Sequence, residues 1–389
     1  INGFALYNTI NGTFTHNNGM VAITTDTNTV IYGMEGDDTS GTGANAFNRL
    51  QIELQGSSSY YVKLRPASGT AHVIKGNVTV AEGIFRKETD AHTLTIEGDV
   101  SVESGGTLGH ADNTGDDTFK TLVVSDGGVC QATQGITKLT GEVDVSGTDF
   151  TMWIYASGDF VANGGTVYFD DADLSSSSNV RCPATFANVK VDYGSYSLTS
   201  HHNMTTTGSF HVINGTYSDG SNGFTIGALC KVQNTGVLNL SNNISQTKTL
   251  HSLKIESGAT FKAGAGTTVI NNETAGYVID NAGTFNHHNG TLTITCPTQT
   301  SAIGLSGSSA INNLIYQGSG TNEDLVLGAN TDIHGYMLID SANSAVQAQG
   351  HTFNYYGPVV IKQGKWEIGS TTQNCYAGVR NKGGTVDTA

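Results

Sequence analysis

The sequence predicts an all-β protein wound as a right-handed parallel β-helix, a β-solenoid with coils of about 22 residues. Three observations carry this. The composition favours strands: among 389 residues there are 50 Gly and only 4 Pro, and charged residues make up 13%. Val, Ile, Thr, Tyr and Phe alternate with small polar residues, and the long Ala/Glu/Lys/Leu stretches that helices favour are absent. Whole phrases recur far apart and in the same order. Inside each copy runs a shorter beat.

The longest repeated phrase is "GTFTHNNGMVAIT" from Gly12, written again as "GTFNHHNGTLTIT" from Gly283, with a weaker copy "GDFVANGGTVYF" from Gly158. Phe14, Phe160 and Phe285 correspond, so the copies lie 146 and 125 residues apart. Other phrases follow each copy. "FNRLQIEL" from Phe47 matches "FANVKVD" from Phe186 and "INNLIYQ" from Ile311. "GNVTVAEGIF" from Gly76 matches "GSFHVINGTY" from Gly208 and "GYMLIDSANS" from Gly335. "GDVSVESGGTL" from Gly98 matches "GALCKVQNTGVL" from Gly227 and "GPVVIKQGKWEI" from Gly357, and "LVVSDGGVCQA" from Leu122 matches "LKIESGATFKA" from Leu253. The reading is one continuous solenoid over 1–389, made of three superrepeats at approximately 1–157, 158–281 and 282–389. It places Phe47, Phe186 and Ile311 in the core at equivalent positions, and likewise Val100, Leu229 and Val359.

Within a superrepeat, Phe47, Gly76, Gly98, Leu122, Gly141 and Gly158 mark the beat. Each unit reads as Gly, a short alternating strand, an Asn/Ser/Gly corner and a second short strand. A unit this short cannot bury its own apolar face, and stacking supplies the core. Corners need positive φ, which Gly adopts and Asn tolerates, while Pro cannot donate to a ladder. At about 4.8 Å per coil, some 17 coils would make a rod on the order of 80 Å long. Three tandem β-sandwich domains are the rival fold, since "NG" between alternating runs is also a hairpin signal. Sandwiches would explain the superrepeat but not the beat.

The net charge of −15, with no Lys/Arg cluster, argues against nucleic acid as a partner. No stretch reaches 18 consecutive apolar residues, which argues against membrane insertion. Ile1 stands where an initiator Met would, with no signal-peptide pattern after it, so the chain reads as a processed product or a piece of something longer. Both termini carry repeat texture without a cap, which leads to the expectation that the chain is joined to more protein. Cys130, Cys182, Cys230, Cys296 and Cys375 form no C-x-x-C pair and read as small inward-facing residues of a protein folded in a reducing compartment. The sequons at Asn77, Asn203, Asn214 and Asn289 arise by chance in so Asn- and Thr-rich a chain.

Each candidate for chemistry has a plainer reading. Asp170, Asp171 and Asp173 could approach Ca²⁺, but no EF-hand or β-roll spacing surrounds them, so they read as a solvated corner. "EGDD" from Glu35 and "DNTGDD" from Asp112 read as turns. His16 and His287 occupy the place of Ala162 in the middle copy, and a side chain replaceable by Ala carries no chemistry common to the repeats. The "HHN" runs at 201–203 and 287–289 cannot chelate one ion from a regular strand and read as turn or ladder elements. Arg65, Arg86, Arg181 and Arg380 are isolated, with no motif tying them to an acid. Tyr60–Tyr61, Trp153 with Tyr155, and Tyr355–Tyr356 with Trp366 could stack on sugars, although alternation sends about half of them inward. The irregular rows "MVAIT", "TVYFD" and "TLTIT" do not make an ice-matching threonine array. No catalytic, cofactor-binding or metal-ligating residue is assigned, and no cofactor is expected.

"GDVSVESGGTL", "GNVTVAEGIF" and "AFNRLQIEL" resemble the coils of repetitive β-solenoid surface proteins, namely phage tail or virion fibre proteins and filamentous bacterial adhesins. The resemblance is one of texture over most of the chain and carries no functional residues. It implies a rigid extended stalk or fibre element at a virion or extracellular surface; with no motif tying the isolated arginines to an acid, no enzymatic activity is expected. The implied partners are other subunits of a fibre, the chain itself among them, and surface carbohydrate. The free cysteines point to the phage side. The alternative is a polysaccharide-cleaving β-helix enzyme of tailspike type, which needs two carboxylates about 5 to 9.5 Å apart in a groove; a secreted bacterial adhesin is a further alternative.

Overall fold

A computed structural model describes residues 3–7, 18–32, 47–55, 57–65, 71–88, 91–170, 176–240, 244–271, 276–295, 301–305, 310–318 and 324–388. These residues contain 39 strands and no helix. The chain forms two compact units, Ile1–His201 and His202–Ala389. Each is a parallel β-solenoid, as the beat predicts.

In the first unit, Val21, Leu50, Val78, Val100, Leu122, Met152 and Val180 pair in succession, each with its counterpart on the next coil. Two residues on, Ile23, Ile52, Val80, Val102, Val124 and Ile154 form a second inward row. Residues between these rows face out, so these strands alternate buried and more exposed positions, as over Thr93–Val102, where Leu94, Ile96, Val100 and Val102 are buried. In the second unit, Leu292, Leu314, Met337 and Val359 make the corresponding row. Burying each such side chain contributes about 1.5–3 kcal/mol, which only the neighbouring coils make possible.

Tandem sandwiches are ruled out by the pairing. One short antiparallel pair joins Val143–Asp144 to Asp149–Ile154. The pairs that stack coil on coil are parallel, with partners such as Val78 and Val100 one coil apart.

The glycine that opens each beat has a steric cause. A Cβ on Gly76 would lie 1.6 Å from the Asn48 carbonyl oxygen, and one on Gly98 would lie 2.4 Å from the Gly76 carbonyl carbon. In the second unit a Cβ on Gly357 would lie 1.8 Å from the Gly335 carbonyl oxygen. These glycines stack with backbone against backbone, and no side chain fits between the coils. Gly357→Ala is therefore expected to destabilise by about 2–3 kcal/mol in urea denaturation, because the clashing atom is backbone and cannot swing away.

Phe47, Phe186 and Ile311 are all buried, as are Val100 and Val359. Leu229 is a correction: it is only half-buried, and Cys230 takes the core position. The register shifts between Ile226 and Leu229, so one extra residue separates Gly227 from the strand, and Cys230 pairs with Leu253. Cys130 and Cys182 are also buried, while Cys375 is half-buried; Cys296 lies outside the described residues. Burial holds the Cys130, Cys182 and Cys230 thiols well above their usual range, as inert core groups.

Candidate functional site

The charged side chains of the outer faces connect coils. Lys75 pairs with Glu97, Lys254 with Asp280, Lys362 with Asp340, and Arg65 with Glu88. Among the described residues, every Lys or Arg ion pair except Lys365–Glu367 joins two neighbouring coils. Asp170 belongs to this system, with a carboxylate oxygen 2.6 Å from Lys138 Nζ. Asp171, Asp173 and "EGDD" at 35–38 lie outside the described residues. Amides do the same work. Asn77 Oδ1 accepts from Asp99 N at 3.0 Å, and Asn203 Oδ1 accepts from Gly223 N at 2.7 Å.

Two ion pairs sit inside the coils, and no local sequence pattern marks them. Lys87 Nζ donates to Asp117 Oδ1 at 2.7 Å and to the Gly115 carbonyl at 3.0 Å. This corrects the reading of "DNTGDD" as turns throughout: Asp116 Oδ1 does accept from Ile136 N, but Asp117 is buried. Burial pushes the Asp117 carboxyl up to about 6, against the opposing pull of Lys87. In the second unit Lys248 pairs with Asp219 and donates to the Asn222 carbonyl, and burial likewise raises Asp219.

The repeated histidine phrase makes a turn. Asn163 and Gly164 have φ of 47° and 83°, and His288 and Asn289 have 44° and 59°. Gly165 N donates to the Ala162 carbonyl, and Gly290 N to the His287 carbonyl, which closes both turns identically. Asn18, at the matching place in the first copy, has φ 59°; Phe14 and His16 lie outside the described residues. "HHN" at 287–289 is thus a left-handed turn, with Asn289 N donating to His287 Nδ1 at 2.9 Å. His288→Val is expected to destabilise by about 1–2 kcal/mol by thermal melting and His288→Asn to be neutral, because a β-branched residue resists positive φ.

Aromatic residues gather at two places. In the second unit the His287 and His334 rings, His334 and Tyr356, and Tyr356 and Tyr376 pack at 5.5, 5.5 and 5.1 Å. Tyr355 and Trp366 point inward and are buried. In the first unit Trp153 meets Phe150, Tyr155 and Arg181. Tyr61 lies under Arg86 and Lys63.

In the second unit an open cleft of about 420 Å³ is lined by Asp324, Asn343, Ser344, Gly364, Lys365 and Glu367. It exists because the strand Met337–Gln347 bulges between Asp340 and Ala345, pushing Ala342 and Asn343 outward. Its acids are engaged. Asp324 accepts from Ala345 N and from Gln347 Nε2, both at 2.8 Å. Lys365 bridges Asp387 and Glu367 at 2.7 and 2.8 Å, and these two carboxylates raise its pKa. Among the described residues, no group of three or more His, Cys, Asp or Glu is placed to hold a metal ion. No protein-family model matches the chain, and no curated protein or solved structure shows significant similarity to it.

Proposed function

We propose that the chain is a structural stalk element of a surface fibre, on a virion or a cell surface, which acts without turnover as a spacer and as a platform for attachment. The observation that supports this most is the use of charge. Outer-face Lys, Arg, Asp and Glu residues bind coil to coil, an arrangement that stiffens a scaffold and leaves acids and bases engaged. The fold suits the role, since a stacked solenoid offers long, repetitive side faces. Other subunits of the same fibre are the natural partners.

The enzyme reading has one observation in its favour, the cleft holding Asp324 and Glu367. Incubating the purified chain with acidic and neutral bacterial polysaccharides and measuring reducing ends tests both readings. The structural reading expects no release above the polysaccharide blank. Release that disappears in Glu367→Gln would overturn it in favour of the glycan-cleaving enzyme.

A further inference from the structure

We infer that the outer face of the first unit carries a binding site for an acidic saccharide, formed by Trp153, Tyr155, Arg181 and His201. It goes beyond the stalk reading and does not depend on it.

The site stands where the solenoid breaks its own rhythm. Val100 and Leu122 are partners 22 residues apart, but Leu122 and Met152 are partners 30 residues apart. The extra residues form the antiparallel hairpin of Val143–Asp144 and Asp149–Ile154, closed at Ser146 and Gly147 with φ of 58° and 83°. In solenoids, insertions of this kind collect on one face, often the binding face. A bulge follows at once, because the register with the next coil shifts between Phe150 and Met152. Bulges re-aim side chains. Here Phe150 packs edge-on against Trp153, with centroids 4.3 Å apart and planes at 90°, and lies 5.4 Å from His201.

The groups assembled there suit one ligand class. Arg181 is the register partner of Trp153, and its guanidinium lies 4.5 Å from the indole centroid. Among the described residues no carboxylate pairs with Arg181, although the chain carries a net charge of −15 and its lysines are widely paired. Arg181 Nε and Trp153 Nε1 are buried donors without an acceptor. Tyr155 is exposed 5.5 Å from Trp153, and exposed His201 holds Asn179 Oδ1 at 2.9 Å. Flat aromatic surface takes the C–H face of a pyranose, and a guanidinium fork takes a carboxylate or sulfate through paired hydrogen bonds. One arginine on so acidic a chain is too little charge for a nucleic-acid backbone, but it suits a sugar bearing a single acid group per ring.

Tryptophan fluorescence tests this on the whole chain, because the other tryptophan, Trp366, is buried. The probes are a galacturonate hexasaccharide and a chondroitin sulfate hexasaccharide, with maltohexaose as the neutral control. At least one acidic probe should change Trp153 emission saturably and bind about tenfold or more tighter than maltohexaose. Arg181→Gln should weaken it about tenfold or more, with circular dichroism unchanged, and Arg181→Lys should recover only part. Failure of both acidic probes, equal binding of maltohexaose, or undiminished binding by Arg181→Gln would each overturn the site. If Arg181→Gln does not fold, the acidic-against-neutral comparison on the parent decides.

Discussion

Replacing Lys248 by Met is expected to lower stability by about 3–5 kcal/mol. Lys248 and Asp219 are both fully enclosed. The carboxylate tolerates burial because Lys248 faces it and the backbone N–H of Ser221 donates to it. Removing the ammonium leaves a buried acid without its charge partner, the arrangement a low-dielectric interior tolerates least. The double variant Lys248→Met/Asp219→Leu should regain most of the loss and could exceed the parent, because apolar replacement of a buried pair is commonly neutral or stabilising by about 1–4 kcal/mol. Urea denaturation of the parent and both variants checks this. A single variant as stable as the parent would show that the pair is not enclosed in solution.

The second large effect is one of pH. His72 lies on the inward face of the strand Ala71–Ile74, beside Leu94 of the next coil, with the His92 ring 5.5 Å away. Burial first, then the nearby His92 and Lys87, lower its pKa to about 3. The unfolded chain takes up this proton near pH 6.5. The folded-state value is depressed, so the stabilisation is complete above about pH 6.5 and is lost as pH falls toward 3. By pH 4 the loss is about 3 kcal/mol. Asp117, raised to about 6, titrates in the same window with the opposite sign, because the fold favours its protonated form. Comparing the parent with His72→Leu removes that contribution, which both share. The two should be within about 1 kcal/mol at pH 7, and at pH 4 the variant should have gained about 3 kcal/mol relative to the parent. A difference that stays constant from pH 7 to pH 4 would mean that His72 is solvated.

The fold was legible because its rule repeats. Gly76, Gly98, Gly335 and Gly357 announce it, each at a place where one backbone rests on another. The "NG" and "HN" corners announce it too, since only a few residues accept φ of 44–83°. Leu229 was misread because one inserted residue does not disturb the look of an alternating strand, yet it turns every following side chain to the other face. The buried pairs were illegible for a different reason. Lys87 meets Asp117 and Lys248 meets Asp219 across 30 and 29 residues, and nothing local marks these four side chains as inward. The Trp153–Arg181 cluster was half legible. The sequence shows the aromatics and the isolated arginine, but the register that brings them together depends on a hairpin and a bulge.

The most direct test of the coil-on-coil account is a spin-label distance series along one outward row. Ala22, Gln51, Thr79, Ser101 and Val123 are successive register partners. Cysteines placed pairwise at 22 and 101 and at 22 and 123, labelled at the surface and measured by double electron–electron resonance, should report separations of about 14 and 19 Å, growing by about 5 Å for the added coil. Residues 22 and 123 separated by several times that distance, or a change between the pairs unrelated to one strand spacing, would contradict the solenoid register on which the whole account rests.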